Sequence, residues 1–224
     1  MDVIQMISVS SSKPDPSATN ATRRRYQRLS SIYDVMEGLA EWRYHPWRTK
    51  LWSQVRGLHV LEVGIGTGKN MPFYPAGISI SGIDLTPGML RWAQKRMGDL
   101  GLNSRVDLRL GDVQELDFPN AAFDSAVATF VFCSVPDPVL GLCELKRVVK
   151  PGGNVLLLEH MRSPTPFVGS LMDFLNPFIV RMMGANINRE TVENVRKAGL
   201  EIEQVEDLGA GGIFKMIIAR VPQR

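Results

Sequence analysis

The stretch Glu62-Val63-Gly64-Ile65-Gly66-Thr67-Gly68 decides the fold of this 224-residue chain, because it closes a short apolar run. That run, residues 59–65, is typical of a buried β-strand. A glycine turn after such a strand lets the backbone approach a ligand closely, since glycine has no Cβ and tolerates positive φ. In a parallel sheet this position lies at the carboxyl edge, where ligands bind. The stretch therefore predicts an α/β protein with a binding site after its first strand.

Apolar runs and helical patterns alternate along the rest of the chain. This alternation predicts a Rossmann-like, wound, mostly parallel seven-stranded sheet with helices on both faces. The stretch Gly209-Ala210-Gly211-Gly212 separates the last two runs and predicts a C-terminal antiparallel hairpin. The six further predicted strands cover residues 79–85, 106–110, 123–130, 154–160, 200–205 and 213–221.

The predicted organisation is a single domain over residues 21–224 that follows a disordered tail over residues 1–20. The tail is rich in Ser, Pro, Asn and Thr, a composition that buries too little apolar surface to fold. Residues 21–56 predict an N-terminal helical cap that Pro46 divides into two helices. Residues 161–188 are longer than a simple connection and predict a lid-like insertion.

Composition places few other constraints on the chain. Two cysteines, Cys133 and Cys143, form neither a disulfide framework nor a metal-site spacing, which favours a reducing cytoplasm and no metal. The longest apolar stretch, residues 167–183, contains Asp173 and Arg181 and is too polar to span a bilayer. We therefore expect a cytoplasmic protein without a secretory signal.

The net charge is only +3, but Arg23, Arg24, Arg25 and Arg28 cluster near the N-terminus. Such a cluster suits a phosphate-rich partner, which is either nucleic acid or an anionic membrane surface. It is equally typical of a solvated helix face. The sequence leaves both interpretations open.

Three residues beyond the glycine turn restrict the class of ligand that the turn can bind. A dinucleotide fingerprint requires glycine where this chain has Lys69. Asp84 ends the second predicted strand, where a carboxylate accepts hydrogen bonds from ribose hydroxyls. Asp112 lies at the equivalent end of the third predicted strand, where it can accept a hydrogen bond from an adenine amino group. The pattern predicts a ligand with one nucleoside rather than a dinucleotide.

Four ordered motifs resemble those of class I S-adenosylmethionine-dependent methyltransferases, and the resemblance covers residues 26–221. The motifs are Val60-Leu61-Glu62-Val63-Gly64-Ile65-Gly66-Thr67-Gly68, Gly82-Ile83-Asp84, Leu110-Gly111-Asp112-Val113 and Val148-Val149-Lys150-Pro151-Gly152-Gly153. The resemblance implies an enzyme that binds S-adenosyl-L-methionine and transfers its methyl group.

The resemblance also implies a role for individual residues in the cofactor site. Glu62 and the glycine turn would hold the methionine portion, with Thr129 lining its side. Asp84 would bind the ribose, Met89 would pack near the adenine, and Asp112 and Val113 would meet the adenine edge. The complete predicted cofactor set is Glu62, Gly64, Gly66, Gly68, Asn70, Asp84, Leu85, Met89, Asp112, Val113 and Thr129.

Two flanking segments bear on the methyl acceptor. The segment Tyr26-Gln27-Arg28-Leu29-Ser30-Ser31-Ile32-Tyr33-Asp34 resembles the N-terminal helix of methyltransferases for quinones and for phospholipid amines. Tyr26 and Tyr33 would then line the acceptor pocket, although both rings also suit ordinary helix packing. The second segment is the insertion over residues 161–188. It predicts either a pocket or lid for an apolar tail or a buried core insertion. Its apolar residues are Met172, Phe174, Leu175, Phe178, Met182 and Met183.

Different short stretches of the chain resemble different branches of these methyltransferases. The sequence Gly64-Ile65-Gly66-Thr67-Gly68-Lys69-Asn70-Met71-Pro72-Phe73-Tyr74 is similar to soluble bacterial phosphatidylethanolamine N-methyltransferases. Phe132-Cys133-Ser134-Val135, Leu158-Glu159-His160 and Gly184-Ala185-Asn186-Ile187-Asn188-Arg189 resemble a branch with thiol S-methyltransferases. Quinone C-methyltransferases share the frame, but their Arg-Asn-Val signature is replaced here by Cys133-Ser134-Val135. All three families act on lipophilic or membrane-located acceptors.

These observations predict methylation of the amine of phosphatidylethanolamine, with peripheral contact to an anionic inner-membrane surface. The predicted catalytic residues are Tyr26, Tyr33 and His160; the imidazole ends a strand at the reactive edge and can accept a proton near neutral pH. The alternatives are S-methylation of small thiols and C- or O-methylation of a quinone-like ring. A non-catalytic, cofactor-binding RNA-binding module is disfavoured, because nothing beyond the arginine cluster patterns the chain for nucleic acid.

Overall fold

The computed structural model describes residues 13–31, 33–209 and 211–223. Its seven strands form one sheet, as the alternating pattern predicts. Their positions agree with the predicted strands to within a few residues, except that β5 begins five residues earlier than expected. The strands are β1 His59–Val63, β2 Ser79–Asp84, β3 Val106–Leu110, β4 Phe123–Thr129, β5 Val149–His160, β6 Glu201–Asp207 and β7 Phe214–Arg220.

The strand order in the sheet is β3-β2-β1-β4-β5-β7-β6. The first five strands pair in parallel, and β7 is antiparallel to both β5 and β6, which confirms the predicted C-terminal hairpin. The chain runs outward in one direction from β1 to β3 and in the other from β4. This reversal between β1 and β4 opens a crevice at the carboxyl ends of the two strands, where such sheets bind ligands.

Within the described residues, six α-helices cover the sheet and its carboxyl edge. The boundary predicted for the N-terminal tail at residue 20 is wrong, because a helix already begins at Pro16. Asp15 starts this helix by accepting a hydrogen bond from the backbone N–H of Ser17 at 2.8 Å. Residues 1–12 of the predicted tail lie outside the described residues. The helices are α1 Pro16–Leu29, α2 Tyr33–Trp52, α3 Pro87–Asp99, α4 Pro138–Val148, α5 Pro166–Met183 and α6 Thr191–Lys197.

The predicted break at Pro46 is also wrong, since Pro46 lies inside α2 and the two N-terminal helices separate between Leu29 and Tyr33. Proline costs a helix one backbone hydrogen bond, a penalty that tertiary packing can offset. Here Tyr44 and Trp47, on either side of Pro46, both stack on Phe214, with ring centroids 5.8 and 5.2 Å apart. These contacts hold the helix against the sheet across the proline.

The core lies on both faces of the central strands, which explains why those strands are continuous apolar runs. On one face Leu61 and Val63 pack in a cluster with Leu142 and Leu145 of α4. On the other face Val60 packs with the end of α2, including the fully buried Leu51 and the nearly buried Trp52. Both clusters hold β1 rigidly, and β1 in turn positions the glycine turn.

The predicted lid-like insertion consists largely of α5. No described helix has the combination of length and apolar character that crossing a membrane requires. The alternative that this segment is a buried core insertion is wrong for its aromatic residues, because Phe174 and Phe178 are 70% and 65% exposed. Met172 of the same helix is buried, and its sulfur accepts from the backbone N–H of Ser163 at 3.3 Å.

Candidate active site

Each of the three glycines of the turn after β1 has positive φ, near +60° at Gly64 and Gly66 and +81° at Gly68. A Cβ at Gly64 would lie 2.5 Å from a methyl carbon of Val131, so any other residue would collide with the loop after β4. A Cβ at Gly66 would meet only the backbone oxygen of Gly64, at 3.9 Å, whereas a Cβ at Gly68 would press on Met71. Gly66 therefore opens the backbone toward a ligand, while Gly68 serves packing.

Asp84 ties the end of β2 to the glycine turn. One carboxylate oxygen accepts from the backbone N–H of Gly66 at 2.9 Å, and the other accepts from the N–H and hydroxyl of Thr86 at 2.8 and 2.5 Å. Thr86 occupies the N-cap position of α3, but its hydroxyl donates to Asp84 instead of capping the helix. Burial raises the pKa of Asp84, and these hydrogen bonds oppose that shift because they favour the charged form.

A cleft of about 720 Å³, counting the open space at its mouth, runs along the carboxyl edge of the sheet. From the predicted cofactor set the cleft collects Gly64, Gly66, Asp84, Leu85, Met89, Asp112, Val113 and Thr129. Both predicted acceptor tyrosines, Tyr26 and Tyr33, also line it.

The cleft continues into a smaller volume, which we call the inner recess. The two volumes share Gly64, Gly66, Thr129, Phe130 and Tyr33, so they meet beside the glycine turn. The other residues of the inner recess are Arg48, Ile65, Thr67, Lys69 and Asn70. Together the cleft and the recess form one elongated site that extends from Asp112 to Arg48.

Glu62 lines neither volume and is buried behind Asn70. Its carboxylate accepts from the amide of Asn70 at 2.7 Å and from the hydroxyl of Tyr74. Arg48 donates to the other side of the Asn70 amide at 2.6 Å. Burial raises the pKa of Glu62 to about 7, against the opposing effects of Tyr74, Asn70 and Arg48. In this geometry Glu62 orients Asn70, and Asn70 presents its polar group to the recess.

Helix α1 covers the opposite end of the cleft. The hydroxyl of Thr19 donates to Asp112 at 3.1 Å, and Asp112 also accepts from the backbone N–H of Gln114 at 2.9 Å. Gln27 accepts from the backbone N–H of Gly88, at the start of α3, at 2.9 Å. Helix α1 is therefore joined to the cleft by hydrogen bonds near both of its ends.

The structure does not bring His160 together with the two tyrosines. Tyr26 and Tyr33 lie with ring centroids 6.5 Å apart, whereas His160 is absent from the residues lining the cleft and recess. Its ring lies 6.0 Å from Phe214, which itself contacts Phe130 at the recess wall. Burial lowers the pKa of His160, so the imidazole is neutral at neutral pH.

The sequence interpretation missed three residues that shape the site. Arg48 is nearly buried at the recess and pairs with Glu41 at 2.8 Å, although in the sequence it is one of several basic residues near the N-terminus. Phe130 has φ of +58°, a strained conformation for a large side chain, and it lines both volumes. No sequence signal marks either position.

Glu159 is the third missed residue, and it holds the loop after β4. Its carboxylate accepts from the backbone N–H groups of Val131 and Phe132 at 2.9 and 3.0 Å. Burial raises its pKa to about 7, and the backbone hydrogen bonds oppose the shift. The signal was an acidic residue inside an otherwise apolar strand, because such a group is kept only where it has partners.

Comparison with known proteins identifies the family of the chain. Residues 61–157 match the family model described as a methyltransferase domain. The chain is 38% identical over 141 residues to the phosphatidylethanolamine N-methyltransferase of Cereibacter sphaeroides, a match covering 63% of this chain and 68% of that protein. The chain belongs to the class I S-adenosylmethionine-dependent methyltransferases. Its cofactor is S-adenosyl-L-methionine, and its reaction is methyl transfer.

Two other relatives of this methyltransferase differ in their acceptor. It is 30% identical over 170 residues to the thiol S-methyltransferase TMT1B of Rattus norvegicus, covering 71% of this chain and 69% of that protein. It is 31% identical over 134 residues to the ubiquinone/menaquinone biosynthesis C-methyltransferase UbiE of Geobacter sp. (strain M21), covering 58% of this chain and 57% of that protein. The family is therefore common to all three relatives, while the acceptor is not.

Solved structures confirm the fold of the methyltransferase. The [4+2]-cyclase SpnF superposes with a TM-score of 0.74 at 20% identity, over 95% of this chain and 99% of that one. A geranyl diphosphate methyltransferase, solved with GPP and sinefungin, superposes with a TM-score of 0.64 at 16% identity, over 79% and 77%. Because a cyclase shares the frame, the fold by itself does not give the reaction.

Proposed function

We propose that this methyltransferase methylates the amine of phosphatidylethanolamine. The observation that carries the proposal is the aromatic wall of the cleft, formed by Tyr26, Tyr33 and Phe130 beside the glycine turn. Each added methyl group removes an N–H donor from the amine, so later intermediates rely less on hydrogen bonds. Aromatic faces attract the ammonium form of the acceptor at every stage of methylation, and an ammonium that carries an N–H loses a proton to water before the free amine attacks the methyl group. The similarity to a phosphatidylethanolamine N-methyltransferase supports the same choice.

The elongated site offers a complementary group for each part of the cofactor. We propose that Asp112 and Val113 meet the adenine with Met89 packed beside it, and that Asp84 accepts from the ribose hydroxyls. Gly66 gives the backbone room for the centre of the cofactor, and Gly64 lets the same turn pack against Val131. The residues present therefore fit the cofactor along the length of the cleft.

The inner recess suits the amino-acid end of the cofactor. Asn70 and Thr129 offer polar groups there, and the Asn70 amide donates to the Thr129 hydroxyl at 3.0 Å. Arg48 and Lys69 supply positive charge for a carboxylate. We propose that Glu62 acts through Asn70 as a positioning residue, a more indirect role than the sequence motif implies.

When bound, S-adenosylmethionine supplies an electrophilic methyl group on a sulfonium. The chain contributes by holding donor and acceptor in line and by excluding water. The turn after β4, fixed by Glu159, and helix α1, fixed through Thr19 and Gln27, close the cleft from two sides. We propose that Tyr26 and Tyr33 orient the amine, while His160 supports the wall through Phe214.

The test is an acceptor panel with labelled cofactor. Purified enzyme is incubated with vesicles containing phosphatidylethanolamine, with small lipophilic thiols, and with a quinone-like ring, and the methylated product is identified by mass spectrometry. We expect label in phosphatidylethanolamine, and none with the Asp84→Ala variant as the cofactor-site control. Transfer to a thiol with none to lipid would overturn the proposal and favour the S-methylation suggested by the similarity to TMT1B.

A further inference from the structure

The outward face of α5 is apolar, which is the reverse of what a solvated helix presents. Phe167, Leu171, Phe174 and Phe178 recur at three- and four-residue spacing and are 80%, 47%, 70% and 65% exposed. This spacing places them on one stripe of the helix. Leu175, which is 38% exposed, widens the stripe. We call these five residues the α5 apolar face.

Two polar residues of α5, Asp173 and Asn176, contact neighbouring segments of the protein. Asp173 pairs with Arg162 at 2.8 Å and accepts from Asn188 at 3.0 Å. Asn176 accepts from the backbone N–H of Ile187 at 2.9 Å. These contacts fix the rotation of the helix, so the exposed rings are a built feature of the fold. Contiguous exposed apolar surface of this kind marks an interaction site.

The charge beside the α5 apolar face is positive. Helix α1 carries Arg23, Arg24, Arg25 and Arg28 and no acidic residue. The two helices meet where Arg25 packs on Gly184, since a Cβ there would lie 3.2 Å from the Arg25 side chain. Arg181, in the last turn of α5, is exposed as well. Exposed Phe and Leu next to basic residues is the composition of helices that lie in the interface of an anionic bilayer.

We propose that the α5 apolar face docks this methyltransferase on an anionic lipid bilayer. The inference rests on the proposed function for its purpose, because a phospholipid acceptor must be taken from a membrane. A second copy of the chain is a poorer occupant, since a symmetric contact through α5 brings the same basic residues of both copies together.

The position of α5 relative to the cleft agrees with this docking. Gly184, directly after the helix, lies against Tyr26, which lines the cleft. Two residues further on, Asn186 donates from its backbone to Cys133 at 2.8 Å, in the turn after β4 that closes the cleft. The docked helix thus ends at the wall of the acceptor site.

The test compares vesicle binding of the wild-type enzyme, the double variant Phe174→Ser/Phe178→Ser and the control Leu58→Ser. Leu58 is similarly exposed, at 61%, but precedes β1 at the opposite edge of the sheet. Cosedimentation uses phosphatidylcholine vesicles with and without phosphatidylglycerol. We expect the double variant to lose about tenfold or more in vesicle affinity, since two partly inserted rings are removed. Wild type and control should bind equally and more tightly with phosphatidylglycerol.

Two results would overturn the docking: equal vesicle binding by the double variant and the control, or a wild-type oligomer that the double variant converts to monomer without a change in vesicle binding. Activity separates this inference from the proposed function. On a short-chain, monomeric phosphatidylethanolamine the double variant should keep wild-type turnover. If vesicle binding falls as expected but no variant methylates any form of that lipid, the docking stands and the proposed acceptor is wrong.

Discussion

The cofactor side of the cleft and the helical cap that covers it differ in how they are held. Around the glycine turn, Asp84 and Glu62 are buried and every anchor is a short hydrogen bond to a neighbouring strand or turn. The cap rests on stacked rings and a few side-chain contacts, and α5 exposes its aromatic residues. The rigid half, which is the cofactor side of the cleft, suits a cofactor that is the same throughout the family. The more apolar cap side can differ in sequence between relatives that use different acceptors. The predictions below test this division.

The largest effect should come from the rigid half, at Asp84. Asp84→Ala removes the acceptor for ribose hydroxyls and the anchor of Gly66, so we expect cofactor affinity to fall by about 100-fold or more. Calorimetric titration with the cofactor measures this loss. Asp107→Ala, an exposed carboxylate on the neighbouring strand β3, serves as the control and should bind normally. Unchanged cofactor affinity in the Asp84→Ala variant would contradict the assignment of Asp84 to the ribose hydroxyls.

The second effect tests how tightly the turn is packed. Gly64→Ala combines a left-handed backbone with a Cβ only 2.5 Å from Val131, so we expect it to lower the free energy of unfolding by about 2–3 kcal/mol. Gly77→Ala has a similar φ, +78°, with nothing within 4 Å, and should cost only about 1 kcal/mol. Denaturant unfolding of both variants checks the difference. An equal loss in the free energy of unfolding for both variants would mean that the loop after β4 shifts to accommodate the new Cβ. The cofactor side of the cleft would then be less rigid than its contacts indicate.

A third, smaller effect concerns pH. Because burial raises the pKa of Glu62 to about 7, the carboxyl is protonated below that pH and charged above it. A charged Glu62 favours the cationic amino group of the cofactor, so affinity should rise as pH increases from 6 to 8. For one linked proton the rise is at most about tenfold per pH unit. Glu62→Gln should flatten this profile in the same titrations; a variant profile as steep as that of wild type would place the titrating group elsewhere.

The smallest effects should come from the cap side. Tyr33→Phe should reduce turnover severalfold while leaving cofactor affinity near normal, since the ring stays and only the hydroxyl is lost. His160→Ala should change turnover by less than about twofold, because the imidazole lines neither the cleft nor the recess. Steady-state kinetics with saturating cofactor compares the two. A large loss in kcat for a folded His160→Ala enzyme would show that His160 takes part in the reaction.

Much of the rigid half could be predicted from the sequence, because its determinants are local. The order of strands, the turn at Gly64 and the carboxylates Asp84 and Asp112 each follow from a few neighbouring residues. Arg48 and Phe130 could not be predicted in the same way. Their roles depend on where α2, which carries Arg48, meets the turn after β4, which carries Phe130, and these two segments are far apart in the sequence.

The sequence by itself determined the sheet, the methyltransferase family and the cofactor, since periodicity and short motifs encode strands and backbone turns directly. Only the tertiary structure decided that Glu62 lies behind Asn70, that His160 lies apart from the tyrosines, and that α5 exposes its aromatic residues. The physical reason is that burial and side-chain direction are set by packing between distant elements. For a residue such as Phe174 the sequence left a pocket, a lid and the core all open, and the contacts of Asp173 and Asn176 on the same helix place its ring outward.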